Sequence, residues 1–302
     1  MFLLGLNAVF CRVFALDGLT LKKNLLALLL ALGAAHAIRA QEDVHWAYAA
    51  HFGTGHYSLD GGGDTTVIGV APGWLWREPS VRESGRYSPG FRLRLPIAVG
   101  AHEFADFDQL GGFRRDSINT LIVTPGVEVG FVRSERWRVK ALGFAGLGTE
   151  SNSNVDAKIF RLGFRSELGF ELSDTSMFLV NGIERFGFSA DNDVSDAINL
   201  VSTGLEFRRP LANKRLGGIP LALHWHVMYT NYLDTLGLDV ARVSLDPATI
   251  GSEWELGVAF SKQNKRLELW RLKLDRLGLV LHYSGDNSFA GVGVSFRSLF
   301  DR

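Results

Sequence analysis

The sequence contains little cysteine, which removes several classes of site at once. One cysteine occurs among 302 residues, at Cys11, close to the start of the chain. A single thiol cannot form an internal disulfide and cannot supply a cysteine-based metal site. Cys11 also lies in a segment that we expect to be removed, so no cysteine nucleophile is expected in the exported part.

An excess of charge of either sign is also missing. Lys and Arg together number 32, and so do Asp and Glu, which gives a formal net charge of zero. This balance predicts neither a basic surface for nucleic acid nor an acidic tail. Proline is scarce at 8 residues, whereas glycine (34) and phenylalanine (21) are abundant, a combination that favours strands and turns over helices.

Long apolar runs are scarce as well, and the clearest one lies near the N-terminus. Lys22 and Lys23 precede an apolar run that ends in the small-x-small sequence Ala35-His36-Ala37, the layout of a secretory signal peptide. The run is well short of the ~20 residues that a membrane-spanning helix needs. We therefore predict an N-terminal extension plus signal peptide over residues 1–40, with cleavage after Ala37 or, as second choice, Ala40, and one exported domain over residues 41–302.

The exported part is marked by alternation of polar and apolar residues. In RLGFRSELGFEL, residues 161–172, the even positions are mostly Leu and Phe, and the odd positions carry Arg, Glu and Gly. A period of two predicts a strand with two unlike faces, since a helix would need a spacing of three or four. With weaker examples included, we predict about twelve strands. Clear repeats of the pattern occur at residues 91–100, 121–131, 201–208, 221–230 and 254–261.

Two all-β architectures show such alternation, and the sequence favours one of them. A soluble β-sandwich uses strands of roughly 5–6 residues and buries its apolar face. Many of the strands here are longer, and their apolar faces begin or end in Trp, Tyr and Phe. These features are typical of a transmembrane barrel with aromatic girdles and a polar lumen. We predict an all-β fold: an antiparallel up-and-down transmembrane β-barrel of about twelve strands in a bacterial outer membrane, with both termini in the periplasm.

The connections between strands agree with this topology. Residues 134–136, 173–176 and 262–265 are short connections that would lie on the periplasmic side. Longer connections, at residues 102–117, 189–198 and 232–253, would face outward, which is the usual asymmetry of outer-membrane barrels. The connection at residues 78–89 departs from the rule because it is long and periplasmic.

Several phrases of the sequence resemble a known family. Gly291 to Phe296 fits most of the glycine-x-x-aliphatic-x-aromatic pattern of the barrel-assembly signal, with Phe300 as a candidate terminal aromatic. TPGVEVGF (124–131), WRVKALGFAGLG (137–148), LVSTGLEFRRPL (200–211) and SEWELGVAF (252–260) resemble the solitary outer-membrane autotransporter-like β-barrel family. The resemblance implies a twelve-stranded translocator-type barrel without a long passenger, and it implies no defined substrate or catalytic residues.

The inward face of the predicted barrel is rich in charge. These side chains either pair with one another across the lumen or line a path for small polar solutes, and their mixed sign favours pairing. A solute channel therefore stays the alternative function. The candidate lumen-lining residues are Arg92, Arg94, Glu128, Arg161, Arg165, Glu167, Glu206, Arg208, His224 and His226.

Catalytic and metal sites are not expected. His282 and Ser284 share a face and invite comparison with outer-membrane lipid hydrolases, but they would point into the lumen, away from the acyl chains, and no motif supplies a third member. His224 and His226 also share a face, but two ligands are too few for a metal site. We expect a non-enzymatic monomer without cofactors, with lipid hydrolysis as a second alternative. Its expected partners are outer-membrane lipids, lipopolysaccharide and, during biogenesis, the barrel-assembly machinery, and no nucleic acid.

Overall fold

The computed structural model describes residues 51, 53–59, 63–81, 87–108, 112–151, 156–190, 195–238, 248–262, 267–269, 272–285 and 289–301. The predicted signal peptide and Cys11 lie outside the described residues, so the predicted division at residue 40 stays a prediction. Within the described ranges, no helix is both long and apolar enough to cross a membrane.

Fifteen of the nineteen described strand segments form one closed antiparallel barrel. Each barrel strand pairs with its neighbours in chain order, and the last strand pairs with the first, Gly55 lying opposite Gly293. The strands are β1 (Gly55–Leu59), β2 (Gly63–Val70), β3 (Gly73–Arg77), β4 (Ser80–Val81), β5 (Tyr87–Ser88), β6 (Gly90–Arg94), β7 (Ile97–Asp108), β8 (Gly112–Val123), β9 (Gly126–Val132), β10 (Trp137–Glu150), β11 (Asp156–Leu172), β12 (Thr175–Ala190), β13 (Ser195–Leu216), β14 (Ile219–Leu238), β15 (Ala248–Lys262), β16 (Leu267–Leu269), β17 (Leu272–Leu274), β18 (Leu277–Ser284) and β19 (Phe289–Ser295).

Three of the barrel strands are interrupted, and this sets the strand count. β2 and β3, β6 and β7, and β8 and β9 are each two halves of one strand, because each half pairs with the matching half of its neighbour. β4–β5 and β16–β17 are small separate hairpins. The described residues thus contain twelve barrel strands in up-and-down order, and the predicted fold class is confirmed.

The interruptions coincide with three prolines at one level of the barrel. Pro72, Pro96 and Pro125 lie between the paired halves, and a proline has no N–H to donate to a neighbouring strand. Their carbonyl groups still accept hydrogen bonds of 3.0, 3.0 and 3.1 Å from the backbone N–H groups of Leu95, Thr124 and Ala145. The prediction of continuous strands at residues 91–100 and 121–131 is wrong at these points, although the alternation keeps its phase across them.

The connections are partly as predicted. Tight turns occupy residues 133–136 and 173–174, at the end of the barrel that also holds Gly55 and Ser295, here called the terminus end. A further tight turn there uses Gly217 and Gly218, both with positive φ (59° and 77°), a conformation that glycine adopts without strain. The predicted short connection at 262–265 is wrong, because the next barrel strand begins only at Leu277 and the β16–β17 hairpin intervenes.

The predicted long loops at the opposite end are also wrong. Backbone pairing between β7 and β8 continues to Asp108 and Gly112, so most of residues 102–117 is strand. Strands β12 and β13 likewise extend to Ala190 and Ser195, and β14 and β15 extend to Leu238 and Ala248. Hydrogen bonding between strands does not depend on side-chain polarity, so the strands continue past the point where the apolar alternation ends.

The two faces of the wall differ as the alternation predicts. Along β15, Trp254, Leu256 and Val258 are 46%, 54% and 51% exposed on the outer face. Glu253, Glu255, Ala259 and Ser261 on the same strand are buried inside. On the outer face, Tyr229, Trp254 and Tyr283 form one cross-strand row, with the rings of the first two 4.8 Å apart. An apolar exterior with aromatic rows is the surface expected of a barrel in hydrocarbon.

Candidate functional site: the charged lumen

The charged residues predicted to line the lumen all lie on the interior face. Most are buried, including Arg94, Glu128 and Glu206, while Arg92 and Arg161 are partly buried. Arg208 is also partly buried and lies opposite His224 in the β13–β14 register. In place of an array that faces open water, the structure brings most of these side chains into ion pairs, so their mutual contacts decide what the lumen can do.

Glu184 on β12 holds two of the predicted arginines. Arg161 lies 2.6 Å from Oε2 of Glu184, and Arg165 lies 2.5 Å from Oε1. Both arginines also donate from Nε at 2.7 Å, so each guanidinium binds one oxygen of the Glu184 carboxylate through two of its nitrogens. Gly163 lies directly opposite Glu184, and a Cβ there would come within 2.8 Å of the glutamate side chain. The absent side chain therefore provides the space that the carboxylate occupies.

A second acidic centre is Glu128 on β9, the half-strand that follows Pro125. Glu128 is 2.8 Å from Arg94, 3.7 Å from Arg92 and 3.8 Å from Lys140. Arg138 contacts Glu167 in the same part of the lumen. Arg92, Arg94, Glu128, Lys140, Arg161, Arg165 and Glu184 are called the arginine network below.

The chain beyond β19 turns into the lumen and meets the arginine network. Residues 299–301 form a single 3₁₀ turn in which Leu299 and Phe300 are buried. Residues 298–301 are called the C-terminal plug below. Asp301 Oδ1 lies 3.3 Å from Arg92 and 3.4 Å from Lys140, and the Lys140 ammonium lies 4.6 Å from the centre of the Phe300 ring.

The backbone of the plug is bound by side chains of two nearby wall strands, β11 and β13. The N–H of Leu299 donates to Glu206 at 2.9 Å, and Arg165 donates to the carbonyl oxygen of Leu299 at 2.9 Å. The Leu299 side chain packs in an apolar cluster with Val180 and Phe300, against Met228. Peptide groups that are removed from water need such partners, so these contacts specify where the plug lies.

The charge of Asp301 is stabilised by its surroundings. Burial acts to raise the pKa of the Asp301 carboxyl, but the nearby charges of Lys140, Arg92 and Arg94 outweigh burial and hold the pKa well below its usual range. The plug therefore presents a carboxylate, and not a neutral acid, to the arginine network at neutral pH.

A different kind of cluster lies on β14, β15 and β18. His282 Nδ1 is 2.5 Å from Glu253 and 4.0 Å from Glu255, and His226 Nε2 is 2.6 Å from Glu255. Tyr232 donates its hydroxyl proton to the second oxygen of Glu253 at 2.9 Å. His226, Glu253, Glu255 and His282 are called the imidazole cluster below, and all four are buried.

The structure separates the histidines that the sequence places together. His224 Nε2 pairs with Ser261 at 2.8 Å, and its Nδ1 lies 3.4 Å from Glu206, which also binds Arg276 at 2.9 Å. His226, two residues along, instead joins Glu255. The two imidazoles therefore share a face of the barrel but have different partners.

The His282 and Ser284 pair also lies inside the barrel. Ser284 is fully buried (0% exposed), and its Oγ accepts a hydrogen bond of 2.9 Å from the backbone N–H of Phe289. His282 is bound to Glu253, as described above. A serine nucleophile that attacks lipid needs access from the apolar exterior, and Ser284 faces the other way.

Sequence reasoning missed several residues that organise the lumen. Glu255 could have been found, because it occupies the inward phase of the clear alternation at residues 254–261. Asp301 could not, since it follows the last strand and carries no periodic signal. The missed residues are Lys140, Glu184, Glu253, Glu255, Arg276 and Asp301.

Comparison with solved structures identifies the class of fold. The chain is similar to the beta domain of the Bordetella autotransporter BrkA, with a TM-score of 0.51 and 12% identity over 80% of this chain and 91% of that one. It is similar to the translocator domain of the autotransporter NalP from Neisseria meningitidis to the same degree, with a TM-score of 0.51 and 12% identity over 81% of this chain and 85% of that one. No protein-family model matches the chain, and no curated protein matches it in sequence. The chain thus has the fold of the autotransporter translocator barrel, an autotransporter-like β-barrel as the sequence predicts.

Proposed function

We propose that this protein is an integral outer-membrane β-barrel that works without a passenger domain and without enzymatic activity, and whose lumen is closed by its own C-terminal plug. The apolar exterior with its aromatic row supports the location. The single observation that carries the closed state is the plug itself, held by Asp301 and by the Leu299 backbone against charged residues of the wall.

The ion pairs of the wall support closure in a second way. Buried charges at the distances of Glu184 and Glu128 from their arginines satisfy one another and leave few donors for a passing solute. A selective channel is better served by charges of one sign that line water. The mixed, paired arrangement therefore favours a structural lumen over a conducting one.

Planar-bilayer conductance of the refolded protein tests this function. The wild-type chain is expected to conduct little, whereas a variant that ends at Arg297, and so lacks the C-terminal plug, is expected to show stable open-channel currents. Folding of both proteins is checked by the shift in gel migration between unheated and boiled samples. Large wild-type currents, or a truncated variant that folds and stays as silent as the wild type, would contradict the closed-barrel proposal.

A point variant tests the charge of Asp301 without shortening the chain. Asp301→Asn removes the carboxylate charge that faces Arg92 and Lys140, and we expect frequent brief openings. Asp174→Asn is the control, because its carboxylate pairs with Arg209 at an exposed turn where both side chains are more than half exposed. The control is expected to behave as the wild type.

The second candidate function is a solute channel that opens when the C-terminal plug leaves the lumen. A segment of a few residues can leave a lumen more readily than a wall of strands can open. If the protein is a channel gated by the plug, replacing Arg161 and Arg165 by Ala in the truncated variant should shift its ion selectivity toward cations. Unchanged selectivity would contradict the channel hypothesis, because these guanidinium groups would then not border the conducting path.

The absence of enzymatic activity is tested separately. Purified wild-type protein is expected to release no fatty acid from phospholipid or lipopolysaccharide. Release that is lost in His282→Ala would overturn the non-enzymatic proposal.

A further inference from the structure

We propose that the imidazole cluster is a binding site for a divalent transition-metal ion, for which Zn²⁺ is the appropriate probe. Candidate ligand atoms of Glu253, Glu255 and His282 all lie within 4.8 Å of one another. His226 Nε2 adds a fourth candidate ligand, 2.6 Å from Glu255. Four ligands from imidazole and carboxylate groups are a donor set that zinc accepts at bond lengths of roughly 2.0–2.2 Å.

The sheet places these ligands on rigid elements. Glu255 on β15 and His282 on β18 are directly opposite in register, and Glu253 lies two residues from Glu255 on the same face. His226 reaches the cluster from β14, on the other side of β15. Ligands on three adjacent paired strands keep their mutual positions better than ligands on loops do, which favours a preformed site.

Two glycines provide room for the rings that form and border the cluster. Gly257 lies opposite His226, and a Cβ at Gly257 would come within 2.1 Å of the imidazole. Gly291 lies opposite His282, and a Cβ there would come within 2.3 Å of the Tyr57 ring. The Tyr57 ring in turn contacts His282 edge-on, with centroids 5.4 Å apart.

Supporting contacts orient the ligands in the manner of a metal site. Tyr232 binds the Glu253 oxygen that faces away from His282, which leaves Oε1 directed toward the cluster. Hydrogen bonds of this kind to ligating carboxylates are a general feature of metal centres. The ring of Phe289 also lies 6.4 Å from the His282 ring and stacks on Tyr57, so the imidazole has a packed wall beside it.

The charge of the cluster favours a cation. Glu253 and Glu255 are 8% and 3% exposed, and the ion-pair partners described for them within 4.0 Å are the imidazoles of His282 and His226. The cluster thus brings two carboxylates into one buried place, and a buried carboxylate is costly unless it is paired with a cation or bound to a metal. A divalent ion would replace the imidazole N–H protons and neutralise both carboxylates.

The types of ligand atom in the cluster indicate which metal ion it would bind. Calcium and magnesium prefer sites built from oxygen ligands alone, whereas imidazole suits zinc and its neighbours in the first transition row. The combination of two imidazoles with two carboxylates therefore fits zinc better than calcium.

Isothermal titration of the folded, EDTA-treated protein in detergent with ZnCl₂ tests the proposal. We expect one equivalent to bind, and we expect Glu255→Gln and His282→Ala each to weaken binding at least 10-fold. His224→Ala is the matched control, because it removes an imidazole on the same strand that contacts Ser261 and Glu206, outside the cluster. An unchanged affinity in the control is expected.

Three outcomes would overturn the site. These are no stoichiometric zinc binding by the wild type, equal losses in His224→Ala and His282→Ala, and equal competition by CaCl₂ at the same concentration. The calcium competition needs only the wild-type protein, so it stays decisive if a variant does not fold. Zinc binding is measured by titration and does not depend on conductance. A protein that binds no zinc could still be a closed barrel, and a conducting barrel could still bind zinc.

Discussion

The arginine network and the imidazole cluster handle buried carboxylates in opposite ways. Glu184 is held by two guanidinium groups at 2.5 and 2.6 Å, which keep their charge at any pH of interest. Glu253 and Glu255 are held by imidazoles, which can release a proton and offer a lone pair instead. A guanidinium partner keeps the carboxylate in a permanent ion pair, whereas an imidazole partner can exchange its proton for a metal ion, as the proposed zinc site requires.

The largest expected effect comes from breaking the arginine network at its centre. Glu184→Gln leaves Arg161 and Arg165 without their shared counter-charge in a mostly buried setting, and we expect a loss of about 3 kcal/mol in the free energy of unfolding. Urea unfolding in detergent, followed by tryptophan fluorescence, measures it. Asp174→Asn, which breaks an exposed pair, should cost less than about 1 kcal/mol. Similar losses in the two variants would show that the network contributes no more than a surface pair.

The next largest effect concerns the imidazole cluster. Gly257→Ala puts a methyl group where the His226 ring lies and should push that imidazole out of the cluster. We expect zinc affinity to fall by roughly 10–100-fold, the usual range for a disturbed supporting position. Gly251→Ala on the same strand is the control, because a Cβ there meets nothing within 4 Å. A full-affinity Gly257→Ala protein would mean that His226 is not a ligand.

The smallest effect is a pH dependence that should be nearly absent. Because its surroundings hold the pKa of Asp301 below the usual value, the stabilising ion pairs are present above the unfolded-state pKa of about 3.9 and are lost only as pH falls through the lower folded pKa. Wild-type conductance should therefore stay low from pH 8 to pH 5. An opening within that window would contradict the role given to Asp301.

Much of the barrel was predictable because one physical rule acts on every strand. Side chains alternate between two environments with a period of two, so Leu256 and Glu255 already indicate opposite faces. The predicted Arg94, Glu128, Arg165 and Glu206 lie inside as that rule requires. The ends of the strands were less predictable, since β14 continues to Leu238 on backbone hydrogen bonds that have no side-chain signature.

The partners inside the lumen were not predictable by the same rule. Alternation shows that a residue points inward but not which residue it meets, because that depends on strand register and barrel closure. His226 and Glu255 are 29 residues apart, and Arg165 and Leu299 are 134 apart, so no local pattern joins them.

The sequence by itself determined the class of the protein: alternating faces, aromatic rows and a charged interior already require an all-β barrel, because each strand meets apolar surroundings on one side and polar ones on the other. Only the tertiary structure decided that residues 298–301 lie against charged residues of the lumen and that two glutamates and two histidines converge on β14, β15 and β18. The physical reason is that strand register and barrel closure decide which inward side chains become neighbours. Charges pair with their neighbours in space, whatever their separation in the sequence.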